Sequence, residues 1–275
     1  MKYILLAYSL LLIVACSKPD YTNFPGRSPR LALIKNQQGD VVDSLVYDLS
    51  GKLVRRFHFG TYHASDITGH YYTFDAQGRV TMSAALSLNP DYTVNNSYYD
   101  TIRYVYNANQ TVSVLRNYNW MIVDMYVSYD QNGVITQAIS IDSVATGDQP
   151  KYILTNQVVN KNIVSYKERF YNPNDGNFFF DEDVTIQYDN QPNPFFELHK
   201  KNPIAFTFYD AASEYNMVNT KNNALSRHEV GAYYDRFVQS WYTYHPQLGY
   251  PLTAKAGSVA AGDTTVTFYA EYIYK

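Results

Sequence analysis

Three histidines lie near one another in the N-terminal half of the chain, and imidazole nitrogens are common metal ligands. His58, His63 and His70 are separated by five and seven residues. Metal-binding pairs on strands or tight turns usually stand roughly two to five residues apart, with a carboxylate or cysteine nearby. The spacing fits that pattern poorly, so the sequence predicts no metal site.

Carboxylates could support glycoside hydrolysis, in which one acts as the acid and a second as the base or nucleophile. Glu168, Glu197 and Glu229 carry no local signature that pairs them across a cleft. The sequence also has no Gly-x-Ser-x-Gly motif and no phosphate-binding glycine loop. We therefore predict no catalytic residues and no cofactor, and keep a glycosidase with an unmarked carboxylate pair as the third functional hypothesis.

A short acidic run suggests calcium at first sight, because hard cations prefer clustered oxygen ligands. Asp181-Glu182-Asp183 stands close to an Asn-Pro-Asn-Asp-Gly segment at residues 172–176. The ordered ligand spacing of a calcium loop is missing. We expect a solvated acidic turn.

The two tryptophans each lie in a polar, tyrosine-rich stretch, which is typical of ligand-contacting aromatic residues. Flat aromatic faces stack on sugar rings, and these side chains lose little entropy on binding. The alternative for both tryptophans is a place in the core or at the rim of a sheet. The candidate ligand-binding residues are Trp120, Trp241, Tyr118 and Tyr242.

Composition favours one β-rich domain. The chain has 275 residues, a formal charge of −3 and 46% apolar residues, so it can bury a large core and has no strong field for nucleic acid. Its 29 tyrosines and 14 phenylalanines suit the half-buried face of a sheet. A single cysteine excludes an internal disulfide.

The N-terminus has the pattern of an export signal. Lys2 precedes an apolar stretch from Tyr3 to Val14, which is too short to span a bilayer core of about 20 helical residues. Residues 1–15 are therefore predicted to be a signal peptide. Pro19, Pro25, Gly26 and Pro29 then predict a flexible tether over residues 16–29, ahead of one domain at 30–275.

The end of the signal, Ile13-Val14-Ala15-Cys16, resembles the lipobox of bacterial lipoproteins. The resemblance implies cleavage between Ala15 and Cys16 and lipidation of Cys16 by a diacylglycerol thioether and an N-acyl chain. Two lipid signals suffice for stable anchoring, whereas one acyl chain binds only marginally. The alternative is an ordinary cleaved signal that leaves a free cysteine.

From Arg30 onward the sequence repeats one hairpin pattern. An apolar run ends in an aromatic residue and Asp, and a glycine follows three residues after the Asp, as at Asp48, Asp75 and Asp130. Asp suits the first position of a type I turn, and the glycine suits a left-handed position that starts the return strand with a bulge.

The flanking segments alternate as strands do, and no segment shows a convincing helical period. Val266, Phe268, Ala270, Tyr272 and Tyr274 are predicted to share one apolar face. We expect an antiparallel up-and-down meander in a strongly curved or barrel-like sheet, with a two-sheet sandwich as the alternative.

The Tyr-Asp copies resemble the repeats of Rhs-type shells, and more closely those of Bacteroidota lipoproteins. Residues 187–195, with the sequence Gln-Tyr-Asp-Asn-Gln-Pro-Asn-Pro-Phe, are similar to a segment of a lipoprotein domain family of unknown function with a porin-like fold. The Asn222-Asn223, Tyr242-Thr243-Tyr244 and Gly249-Tyr250-Pro251 segments match the same family. Gln191 stands where lysine is usual in the family. From the two prolines we expect an extended exit from a strand that ends at Tyr188.

Two further resemblances concern export. Ser17-Lys18-Pro19-Asp20 is similar to surface-export signals of Bacteroidota lipoproteins. Four Asp-Ser/Thr pairs resemble the O-glycosylation motif of exported Bacteroidota proteins, with acceptors Ser44, Thr101, Ser143 and Thr264. The sequence thus predicts an outer-membrane lipoprotein on the cell surface or the periplasmic face. Its predicted partners are the membrane and a glycan or protein ligand; an accessory subunit of an outer-membrane complex is the second hypothesis.

Overall fold

The computed structural model describes residues 29–60, 67–108, 111–118, 121–141, 150–171, 177–201, 220–260 and 263–275. Each strand pairs antiparallel with the next in sequence and the last pairs with the first, so the sheet closes into a barrel. The predicted meander and barrel are confirmed, and the chain does not adopt the sandwich. The described strands are β1 (Leu31–Lys35), β2 (Val41–Tyr47), β3 (Leu53–Phe59), β4 (Ile67–Phe74), β5 (Val80–Leu88), β6 (Val94–Tyr106), β7 (Thr111–Tyr118), β8 (Met121–Tyr129), β9 (Ile135–Ile141), β10 (Pro150–Val159), β11 (Asn162–Tyr171), β12 (Phe178–Pro192), β13 (Asn222–Gly231), β14 (Tyr234–Tyr244), β15 (Pro251–Ala260) and β16 (Asp263–Tyr274).

The predicted tight turns all lie at one end of the barrel, here named the turn end. The Asp75 carboxylate accepts hydrogen bonds from the backbone N–H groups of Gln77 and Arg79 at 3.0 and 2.8 Å. Gly78 has a φ of +79°, a left-handed conformation that costs glycine little. Asp130 and Gly133 repeat this geometry, so the predicted turns are confirmed.

Three return strands have a buried apolar residue at, or directly before, their first position at the turn end. Leu53, Val80 and Val134 directly follow turns and are fully buried. Phe196 and Leu198, from a helix that follows β12, are buried in the same cluster.

That helix, α1 (Pro194–Lys201), corrects the expectation of a chain without helices and of an extended exit at Tyr188. The strand continues to Pro192, which pairs with Asn222. Asn193 then caps the helix by accepting a hydrogen bond of 2.9 Å from the Phe195 N–H, and Pro194 takes the first helical position. Proline suits that position because its missing N–H has no helical partner there. Among the described residues no helix is long and apolar enough to cross a membrane.

A β-bulge in β16 corrects the predicted face of Val266. The register shifts so that Ala256 pairs with Phe268 but Gly257 pairs with Val266, which leaves an extra residue in β16. An extra residue moves the following side chains to the opposite face of a sheet. Phe268 therefore points into the barrel, whereas Val266 lies on the outer wall and is 53% exposed.

The acidic run at 181–183 lies within β12 and is not the expected turn. Asp181 and Asp183 face outward and form ion pairs with Lys167, at 3.3 and 2.8 Å. Glu182 faces inward and is buried. The strand alternation thus separates the three carboxylates, two of which are neutralised on the outer wall.

Candidate functional site

The lumen of the barrel contains two adjoining chambers beside α1. The Phe195 ring packs edge-to-face against Tyr272 of β16, with ring centroids 6.1 Å apart. Phe195, Phe268 and Tyr272 line both chambers, so these aromatic rings stand between them. The chamber toward β13, β14 and β15 is named the inner chamber, and the one toward β1, β2 and β3 the outer chamber.

Three of the four segments that carry the family resemblance meet where β12 leads into α1. The Asp189 carboxylate accepts hydrogen bonds from the backbone N–H and the side-chain amide of Asn223, at 3.1 and 3.3 Å. The Tyr244 hydroxyl also donates to Asp189. One carboxylate therefore joins β12, β13 and β14 at the point where the chain turns into the helix.

The inner chamber has a volume of about 120 Å³. Its apolar surface comes from Phe195, Phe268 and the small side chains Ala254 and Ala256. Asn193, Asn223, Ser240, Arg227 and Arg236 supply polar groups around it. An apolar cavity with a few convergent polar groups is the usual form of a small-molecule site.

A buried carboxylate fixes the two arginines of the inner chamber. Glu229 is 2% exposed and lies opposite Arg236 on the neighbouring strand. The Arg236 Nε donates to one carboxylate oxygen of Glu229 at 2.5 Å, and the Arg227 Nε lies against the other. Two cations thus share the Glu229 carboxylate.

The outer chamber is larger, about 410 Å³, and combines the aromatic rings with a charged cluster on β2 and β3. The Asp43 carboxylate accepts a hydrogen bond of 2.7 Å from the Arg56 Nε and lies 3.1 Å from the His58 Nδ1. Burial pushes the pKa of Asp43 upward, but the charge of Arg56 and the hydrogen bonds of His58 and Arg56 hold it below its usual value. Asp43 is thus an ionised acceptor at neutral pH.

Three glutamates form an inward-facing row that the sequence did not connect. Glu168 pairs directly with Glu182 across β11 and β12, and Glu229 lies on the next strand. Burial raises the pKa of Glu168 and of Glu182, and repulsion from neighbouring carboxylates adds to both shifts. The lining residues of the two chambers include none of these three glutamates.

The structure separates the predicted ligand-binding pair at 241–242. Successive side chains of a strand point to opposite faces. Tyr242 lines the inner chamber and donates a hydrogen bond of 2.9 Å to the Ala224 carbonyl. Trp241 is 42% exposed and lies on the outer wall opposite Lys255.

The remaining predicted sites fall mostly outside the described residues. Ala15, Cys16, Trp120 and Ser143 all lie there, and Tyr118 and Thr264 belong to β7 and β16 without a described side chain. Ser44 is half-buried. Thr101, by contrast, is buried.

The histidines occupy different surroundings. His58 contacts Asp43 in the outer chamber, His70 pairs with Arg56 across β3 and β4, and His63 lies outside the described residues. Within the described ranges no group of three or more His, Cys, Asp or Glu residues is placed to hold a metal ion.

Some residues of the chambers were not predicted, although their sequence patterns are recognisable. Arg227 and Glu229 are separated by two positions on one strand, which places both on the same face. Charges at alternate positions of a strand that also faces a core indicate a buried ion pair. Asn193 before Pro194 is likewise the pattern of a helix start. Asp43 and Arg56 could not be paired, because that needs the register of β2 against β3.

Comparison with solved structures finds two porin-like proteins among the similar chains. A crystal structure from Bacteroides uniformis ATCC 8492 has 11% identity and a TM-score of 0.39, and covers 76% of this chain and 91% of its own. Another from Bacteroides vulgatus ATCC 8482 has 11% identity and a TM-score of 0.41, with 90% and 99% covered. No family model matches the chain. No curated protein matches it.

Proposed function

We propose that the protein is a non-catalytic, lipid-anchored protein of the cell envelope that binds a small glycan in its lumen. The observation that carries the proposal is the outer chamber, where Phe195, Phe268 and Tyr272 face the same space as a charged cluster. Sugars are bound by aromatic faces against their C–H groups and by planar polar side chains against their hydroxyls. The volume of about 410 Å³ falls in the range of about 300–1,000 Å³ for small-molecule pockets.

The charges of the lumen favour binding over catalysis. Arg56 lines the outer chamber and Arg236 the inner chamber, and their guanidinium groups can donate hydrogen bonds to a ligand. Glycoside hydrolysis needs two carboxyl groups that flank the scissile bond. Glu168 and Glu182 form such a pair across neighbouring strands, but they do not line either chamber.

Charged side chains on the outer wall favour a barrel that lies beside the membrane and does not span it. Lys167 and Arg169 on β11 face Asp181 and Asp183 on β12, and these side chains are partly exposed. The outer surface of a membrane-spanning barrel carries an apolar band about 25 Å tall. The lipobox-like segment at Cys16 supplies the attachment instead.

The glycan proposal is tested with the full-length protein in detergent and a panel of neutral and acidic oligosaccharides. A bound ligand raises the thermal unfolding temperature by mass action. We expect such a rise with at least one sugar, lost in Phe268→Ala and retained in Phe237→Ala, whose ring lies on the outer wall. No rise with any sugar at millimolar concentration refutes the proposal and favours the accessory-subunit hypothesis. Release of reducing ends from a polysaccharide supports the glycosidase instead.

Attachment is tested separately by metabolic labelling with a fatty acid. Cys16→Ala is expected to abolish the label, whereas Ser17→Ala, next in the sequence, is expected to retain it. Label that persists in Cys16→Ala contradicts the lipid assignment without touching the glycan proposal.

A further inference from the structure

The barrel wall is lower at β1 than at β16, because β1 is the shorter strand. β16 has 12 residues and β1 has 5. Their pairing runs from Tyr274 opposite Leu31 to Glu271 opposite Lys35. The stretch of β16 from Asp263 to Ala270 pairs with β15 on one side, and no strand of the described residues pairs with it on the other. Within the described part of the chain, its second backbone edge therefore has no strand partner and is here called the free edge.

A well-ordered turn ends β1 at this height. The Asn36 side-chain carbonyl accepts hydrogen bonds from the N–H groups of Gln38 and Asp40, at 3.0 and 2.9 Å. The Asn36 N–H donates to the Asp40 carbonyl at 2.9 Å, and Gly39 has a φ of +87°. The low wall is thus a defined feature of the β1–β2 hairpin.

The free edge contains a bulge but neither lysine nor proline, two residues that usually block strand addition. Proteins protect exposed edges with lysine, proline, bulges or covering segments. The stretch from 263 to 270 contains no lysine and no proline, and Thr265 and Val266 are exposed. The bulge opposite Gly257 bends the strand, so regular pairing is available from Phe268 to Ala270, directly above Glu271 and the end of β1.

The outer chamber opens beside the same edge. Val266 and Tyr269 line it from the outer face of β16, and Phe268 lines it from the inner face. Side chains from both faces of one strand can border a single space only where the wall beside that strand is open. The charged cluster of Asp43 and Arg56 lies on β2 and β3, whereas the side chains nearest to the edge are the aromatic residues of β16.

We propose that the free edge of β16 binds an extended peptide as an added strand, with apolar side chains entering the outer chamber. A free strand edge offers alternating N–H donors and carbonyl acceptors, and only another extended peptide backbone presents the matching series. Main-chain hydrogen bonds then supply affinity, and the pocket beside the strand selects alternate side chains. This peptide site goes beyond the glycan proposal and does not depend on it.

The test is amide hydrogen exchange of the full-length protein in detergent, with two synthetic peptides as probes. The first has the sequence of β15, Pro251–Ala260, because that segment already pairs with β16 on its other edge. The second alternates threonine and valine. We expect a peptide to slow exchange by about tenfold at those amides of Phe268–Ala270 that point to the free edge, since they gain hydrogen bonds. The β15 peptide N-methylated at 254–257 is expected to have no effect, because both of its edges lose donors.

Two matched variants locate the effect on the free edge. Val266→Lys places a blocking lysine beside the edge, whereas Val230→Lys places one on β13, which is paired on both sides. Both valines are exposed, so both variants should keep the unfolding temperature of the parent. Only Val266→Lys is expected to weaken peptide binding, by about tenfold. The proposal is overturned if neither peptide slows exchange at millimolar concentration, if the methylated peptide acts equally well, or if only an oligosaccharide or a lipid protects these amides.

Discussion

The hydroxyl group of Tyr188 donates a hydrogen bond of 2.7 Å to the backbone carbonyl of Ile163 on the preceding strand. Other tyrosines at the turn end make the same kind of bond to a carbonyl near the start of the strand before their own. These bonds join Tyr47 to Leu31, Tyr106 to Val80, Tyr242 to Ala224 and Tyr274 to Pro251. Tyrosine in the repeated turn thus has a physical purpose: its ring fills the core and its hydroxyl satisfies a backbone acceptor.

Removal of one such hydroxyl should destabilise the barrel. Tyr188→Phe keeps the ring but leaves the Ile163 carbonyl without this donor, which costs about 1–2 kcal/mol. Tyr126→Phe is the matched control because Tyr126 is exposed on the outer wall. Urea denaturation of both variants measures the difference. An equal free energy of unfolding for the two contradicts a structural role of the Tyr188 bond.

Stability should also fall in strong alkali. Burial raises the pKa of Tyr106 and of Tyr242 to about 12, above the ordinary value of 10.0. The unfolded chain releases these protons first, so the stabilisation is complete below pH 10 and is lost as the pH rises from about 10 to 12. Near-ultraviolet absorbance should show a late-titrating group of tyrosines, and Tyr106→Phe should shrink it. A single transition at the ordinary pKa contradicts this burial.

The fold was predictable because local signals repeat along the chain. Asp75 and Gly78 specify a turn within four residues, and alternation specifies the strands between such turns. The sixteen described strands exceed what an open twisted sheet usually holds, so strand number favours a sheet that curls, splits or closes. The face of Val266 was not predictable, since the bulge that reverses it depends on the pairing of β16 with β15.

The candidate site was less predictable because its residues meet only after closure. Asp43 and Phe268 come from opposite ends of the chain and face the same chamber. Tyr242 lines the inner chamber, but its neighbour Trp241 points to the other side of the wall. A tyrosine-rich stretch on a strand indicates aromatic character, whereas register decides which face receives each ring.

Loss of the helix cap should destabilise the start of α1, which lines the inner chamber. Asn193→Ala removes the acceptor for the Phe195 N–H and costs about 1 kcal/mol. Asn193→Ser keeps an uncharged acceptor at the capping position and should cost less. Thermal unfolding of the two variants gives the ranking, and amide exchange at Phe195 and Phe196 locates it. Equal losses for both substitutions contradict a capping role.

The buried ion pair of the inner chamber should be far more sensitive than the ion pairs of the outer wall. Glu229→Gln removes the anion that forms an ion pair with the buried Arg227, and removal of one partner from a buried pair costs about 3–5 kcal/mol. Asp183→Asn breaks a pair with Lys167 that is largely in water, so it should cost less than about 1 kcal/mol. Urea denaturation compares the two variants. Adding Arg227→Met to Glu229→Gln should recover part of the lost stability, because the buried guanidinium that lost its ion-pair partner is then removed. A further loss of stability in the double variant contradicts the assigned role of Glu229.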